Sequence, residues 1–166
     1  MKKTLILLTG ALLALCLLAG CGGNSSGVPT LPDMVEQLCE GADVPTYETI
    51  ELNESNFKSY AFVPYEEGIT ACAADAVVNI NAHSLVLIHT ENGNTGELAN
   101  SILTSADPRK WVCVNADKVT VAYTDHYIML LMSYDTTTED ILANFNALVP
   151  TLNDGTATVL TGAAGA

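Results

Sequence analysis

The chain has 166 residues, 49% of them apolar and 15% charged, with 19 acidic residues against 6 basic ones and a formal charge of −13. That length suits one domain, because a second core needs roughly 100 residues of its own, and the apolar content is too high for a disordered chain. The acidity argues against a nucleic-acid partner, since no cationic stripe is present to displace counterions from phosphate.

The first 20 residues read as a signal peptide. Lys2 and Lys3 form a positive start, and Leu5 to Leu18 form an apolar run interrupted by Thr9 and Gly10. That run is short for a bilayer span, and it leads into Leu18-Ala19-Gly20-Cys21-Gly22-Gly23, where small residues precede a cysteine. This is the arrangement of a bacterial lipobox. It predicts cleavage between Gly20 and Cys21, with a diacylglyceryl group on the Cys21 thiol holding the chain to the outer side of the cell membrane. Two acyl chains, at about 0.8 kcal/mol per buried CH₂, make such attachment stable where one is marginal. Loss of Lys2 and Lys3 leaves four basic residues against 19 acidic ones, a charge of −15. The lipid must then anchor the chain without help from a polybasic patch.

Residues 21–30 continue as a polar Gly/Ser-containing linker, which spans roughly 15–18 Å as a random coil. The first helix is expected from Thr30-Leu31-Pro32-Asp33, with Leu31, Met34, Val35 and Leu38 on one face and Gly41 as its stop. Tyr47 to Leu52 alternates weakly as a strand. Thr70 to Ile80 reads as a second, and Leu85 to Thr90 as a third, paired to it through the turn at Asn79–Ser84. A second helix is expected from Asn94, with Glu97 completing a capping box, to Asp107-Pro108. Lys118 to Tyr134 reads as a long hairpin turning at Thr124-Asp125-His126. Its return strand, Ile128-Met129-Leu130-Leu131-Met132, is apolar on both faces and suits a central position. The last helix is expected from a Thr136/Glu139 capping box to a stop at Pro150, with Ile141, Leu142, Phe145, Leu148 and Val149 as its apolar stripe. Hairpins without long crossovers indicate an α+β fold, with an antiparallel sheet of four to five strands and two to three helices packed on it. The expected division is a signal peptide (1–20), lipidated Cys21 with its linker (21–30), the α+β domain (31–149) and a disordered tail (150–166).

The lipobox, the strands at Ala76-Val77-Val78, Leu85-Val86-Leu87-Ile88 and Lys118-Val119, and Tyr127-Ile128-Met129 followed by the Thr136–Leu148 helix share one layout. Over about Leu31 to Val149 it resembles the bacterial lipoproteins grouped as domain of unknown function 4358. The chain departs from that pattern at Asp125-His126, where a Gly-containing turn is expected, and at Glu91-Asn92-Gly93. The resemblance implies a surface-anchored lipoprotein of a Gram-positive bacterium. It supplies no catalytic residue, because the family has no established activity.

Candidate chemistry is sparse. After removal of Cys16 and lipidation of Cys21, the cysteines Cys39, Cys72 and Cys113 remain, an odd number that permits at most one internal disulfide. They read as buried small hydrophobes, as one disulfide plus a thiol, or, least naturally, as a nucleophile. His83 and His89 on one continuous strand would stand about 20 Å apart, too far to share an ion. His126 has Asp125 beside it as a local partner, and Cys113/His126 or Cys72/His89 pairs require tertiary proximity. The acidic stretches lack the alternating ligands of a calcium loop, and no phosphate loop, nucleophile elbow or zinc-protease helix occurs. Neither a cofactor nor a metal is expected. Tyr60, Phe62 and Tyr65 around Pro64 form an aromatic stretch, either packed over a sheet edge or serving as a recognition surface. The sequence therefore points to a non-catalytic, lipid-anchored interaction domain for an unknown protein or small ligand. The alternatives are an accessory ligand-binding lipoprotein of a transport or cell-wall system and, further off, a hydrolase with an unrecognised site.

Overall fold

The computed structural model describes residues 27–162. The signal segment with Gly20 and Cys21 lies outside the described residues, as do the last four positions.

The chain opens with α1 (Leu31–Cys39), and the Thr30 and Asp33 side chains each accept from the other's backbone N–H to form the capping box. Then follow β1 (Tyr47–Leu52), α2 (Phe57–Ala61), β2 (Ile69–Ala76), β3 (Ser84–Thr90), α3 (Thr95–Ser105), β4 (Lys118–Tyr123), β5 (Tyr127–Ser133), α4 (Asp135–Leu152) and β6 (Thr158–Thr161). All six strands join one antiparallel sheet in the order β1-β2-β3-β5-β4-β6. The fold is α+β, with six strands and four helices where four to five strands and two to three helices were expected.

Side-chain alternation along the strands explains the layers. Leu85 and Leu87 of β3, with Met129 and Leu131 of β5, face Met34, Val35 and Leu38 of α1 and Ile141 and Phe145 of α4. Val86 and Ile88, with Ile128, Leu130 and Met132, face Phe57 of α2, Ala99 and Ile102 of α3, and Trp111. The two middle strands are thus apolar on both sides because both sides are covered. Each fully buried Leu, Ile or Met contributes roughly 1.5–3 kcal/mol, and these two layers carry most of the hydrophobic stabilisation. In β2 the neighbours are alanines and Cys72, whose small side chains let α1 settle close to the sheet.

Several expectations need correction. Residues 150–161 are not a frayed tail: α4 continues to Leu152, and β6 pairs with β4 from Thr120↔Thr161 to Tyr123↔Thr158. Pro150 is tolerated because it sits in the last turn and both it and Asn146 are exposed, leaving the Asn146 carbonyl free to meet water. Neither later capping box forms. Asn94 makes no side-chain cap bond, while Thr95 Oγ donates to the Thr124 carbonyl instead. The first residue of α4 is Asp135, whose N–H donates to the carboxylate of Asp117, a cap supplied from the loop before β4. The second strand ends at Ala76, so Val77, Val78 and Ile80 lie in the turn.

Candidate functional site

Polar side chains collect at the two ends of the sheet. At one end β2 finishes, β3 begins and β5 finishes, so that Asp75 lies opposite Ser84 and Ser84 opposite Met132. The Lys110 ammonium reaches in from the loop between α3 and β4. Its Nζ stands 2.8 Å from Asp75 Oδ1 and 3.0 Å from Ser84 Oγ, above the rings of Tyr60 (5.3 Å) and Trp111 (5.2 Å). A cation this enclosed must be paired, and a carboxylate with two aromatic faces does that. These contacts with β2, β3, α2 and the neighbouring Trp111 clamp the loop to the sheet.

His83 belongs to the same end but to the other face of the sheet. It is fully buried, with Nδ1 3.2 Å from Ser133 Oγ, its ring 6.3 Å from that of Tyr47, and no hydrogen-bond partner at Nε2. Burial drives its pKa down from 6.5 to about 4; the Lys110 charge pushes the same way and Asp75 opposes it. The imidazole is therefore neutral at ordinary pH.

At the opposite end, the β4–β5 turn meets the segment between α4 and β6. Asp154 is 8% exposed, and its carboxylate accepts from Thr124 Oγ, from the His126 N–H at 2.8 Å and from the His126 ring at Nδ1. Burial alone would raise the Asp154 pKa, but the hydrogen bonds from Thr124 and His126, with the imidazole's charge, hold it below the ordinary carboxylate value. The local partner expected for His126 was Asp125. The structure gives it Asp154 instead, while the Asp125 carboxylate packs over Gly155. A Cβ at position 155 would stand 2.8 Å from Asp125 Oδ2, a contact the exposed Asp125 side chain can relieve by turning, but the backbone there has φ +74°, which favours glycine. The His89 ring stacks on His126 at 6.3 Å and lies 4.9 Å from Tyr127.

An imidazole oriented by a buried carboxylate is two parts of an acyl-transfer triad. The third part is not a cysteine. Cys113 lies exposed in the loop before β4, at the far end of that strand from His126, and His89 packs on His126 and Tyr127 rather than bonding Cys72. Cys39, Cys72 and Cys113 are all free thiols. Burial pushes Cys39 up to about 11 despite its hydrogen bond with Tyr47, and burial also raises Cys72, so both are poor nucleophiles. Cys113 departs from the expectation of a buried small hydrophobe. Among the described residues no group of three or more His, Cys, Asp or Glu is placed to hold a metal ion, and no helix is long and apolar enough to cross a membrane.

Tyr60, Phe62 and Tyr65 are half-buried, packed against the core, and committed to separate tasks. Tyr60 lies under Lys110. Phe62 closes α2 in the left-handed conformation at φ 65°, unusual for an aromatic residue, with its N–H donating to the Lys58 carbonyl. Tyr65 meets Phe57 edge to face at 5.8 Å and donates its hydroxyl to the Ile69 carbonyl. It also lines a groove of about 440 Å³ together with Leu31, Pro32, Leu52, Ile69 and Cys72. The Lys110 clamp and the His126–Asp154 pair carried no local sequence signal, because their partners lie 35 and 28 residues apart. No family model matches the chain, and no curated protein and no solved structure matches it.

Proposed function

We propose that this chain is a lipid-anchored extracytoplasmic domain, held to the bacterial cell membrane through a diacylated Cys21, and that it works by binding rather than by catalysis. One observation carries the reading: a basic start, an apolar run, small residues, Cys21 and a polar linker occur in that order, and the folded domain begins directly after them at Thr30. Lys110 and Asp154 spend their hydrogen bonds on holding loops to the sheet.

The test is Cys21→Ala in the full chain. Wild-type protein should fractionate with membranes and take up a labelled fatty acid, whereas the variant should lose the label and keep the uncleaved signal. Equal labelling of the two would refute the anchor. A second reading, a small-ligand accessory lipoprotein, draws on the groove between Leu31, Leu52, Tyr65 and Cys72. Leu52→Trp would fill that groove, and an unchanged phenotype in cells would count against it.

A further inference from the structure

Two loops at the Lys110 end of the sheet turn aliphatic side chains into water. In the β2–β3 turn Val77, Val78 and Ile80 are 57%, 48% and 66% exposed, and Val112, in the loop between α3 and β4, is 91% exposed. Both loops are pinned from beneath. The Val77 N–H donates to the Thr46 carbonyl, the Asn81 N–H to the Val78 carbonyl, and the Ala82 N–H to the Tyr134 hydroxyl. Val112 follows directly on Lys110, clamped by Asp75 and Ser84, and on Trp111, whose ring is buried in the core. Apolar groups held out on braced loops lose little freedom when they bind, which is how recognition surfaces are built.

We propose that this end of the domain is a docking surface for a protein partner that offers an apolar recess with a basic rim. The inference rests on the lipid-anchored binding role and names the surface that performs it. Charge identifies the partner. The cations at this end are matched: Arg109 with Asp107, Lys110 with Asp75, Lys118 with Asp135. Among the described residues Asp43 and Glu48 are exposed around the same end with no cation in ion-pair range, and Asp117 is exposed beside the already paired Lys118. An anionic bilayer would repel that rim, and the surface lacks the tryptophan that favours the membrane interface, because the sole Trp111 is turned inward. A second copy would bring acidic rim against acidic rim. The fold also begins at the other end of the strands, where Leu31 and Pro32 lie beside Leu52 and Ile69, about 20 Å from the exposed valines.

The experiment places photoreactive benzoylphenylalanine singly at Val78, Ile80 or Val112 of the full chain in intact cells, with exposed Ser101 and Glu91 as control positions. Irradiation should give one protein adduct of the same discrete mass from all three test positions, in yield at least about tenfold above the controls. In isolated membranes that yield should fall at least about threefold between roughly 0.05 M and 0.5 M salt, and equally on Asp43→Lys with Glu48→Lys. Control-level yield, adducts to lipid alone, adducts of twice the chain's own mass, or a yield indifferent to salt and to the two lysines would each overturn the proposal. Fatty-acid labelling of Cys21→Ala reads the anchor separately. A variant that loses the label and still gives the adduct leaves both readings standing, and a variant that keeps the label and gives the adduct removes the anchor alone.

Discussion

His83 offers the sharpest quantitative test, because burial makes it a stability sensor in a narrow pH window. In the unfolded chain a histidine binds its proton near the ordinary 6.5, whereas in the folded domain it does so only near 4. Between those values the unfolded state holds more protons, so stability is full above about 6.5, falls as the pH drops, and loses nothing further from this group below about 4. A displacement of that size corresponds to about 3 kcal/mol in total, about 2.5 kcal/mol of it lost by pH 4.5. His83→Gln keeps a polar partner for Ser133 Oγ and removes the titration. Urea unfolding followed by Trp111 fluorescence at pH 7.5, 6.0, 5.0 and 4.5 should show the wild type losing about 2.5 kcal/mol across the series and the variant losing under about 1 kcal/mol. The variant's lower starting stability is immaterial, since the slope is what is read. Asp154 stays out of this window: its lowered pKa leaves its contribution intact until the pH falls below about 3.8. Parallel pH curves for the two proteins would refute the claim that His83 is buried in its neutral form.

The pair at the other end makes a different prediction. Asp154→Ala strands Thr124 Oγ and the His126 N–H and should cost about 2–4 kcal/mol, seen as a drop in thermal midpoint of roughly 6–15 °C, while Asp125→Ala should cost under about 1 kcal/mol. Equal effects of the two substitutions would mean that Asp154 is not the clamp. For the thiols, a maleimide should modify Cys113 at the rate of a free peptide thiol and leave Cys39 and Cys72 at least about 100-fold slower until urea is added, with mass spectrometry counting the adducts. Fast modification of all three in the native protein would contradict the burial of the α1–β2 contact.

The sequence speaks most clearly where local pattern and burial coincide. The two-faced apolar run at Ile128–Met132 reads most simply as an inner strand, and the hairpin with Lys118–Tyr123 follows from alternation around a polar turn. The Thr30/Asp33 box marks the start of α1 because both halves of the cap lie within four residues. What stayed hidden is non-local or very short. α2 has five residues, too few to display a helical period, and β6 has four residues, with no stripe of its own, that only β4 makes into a strand. The boxes expected at α3 and α4 fail through partners outside those helices: Thr95 Oγ is drawn to the Thr124 carbonyl, and Asp117 accepts the first N–H of α4. For the sites the limit is sharper still. His126 had an acidic neighbour in sequence, but the carboxylate it uses arrives from beyond α4.

The placement of β6 also sets a timetable. β4 sits inside the sheet only because Thr158–Thr161 lies along its outer side, and α4 separates that segment from the hairpin it completes. A chain delivered from its first residue onward therefore leaves β4 as an open edge until Thr158–Thr161 has arrived. The Asp154 clamp waits on the same segment, so the β4–β5 turn is fastened last as well. Until that segment pairs, the outer side of β4 keeps its backbone hydrogen-bonding groups free, an edge open to a strand from another chain.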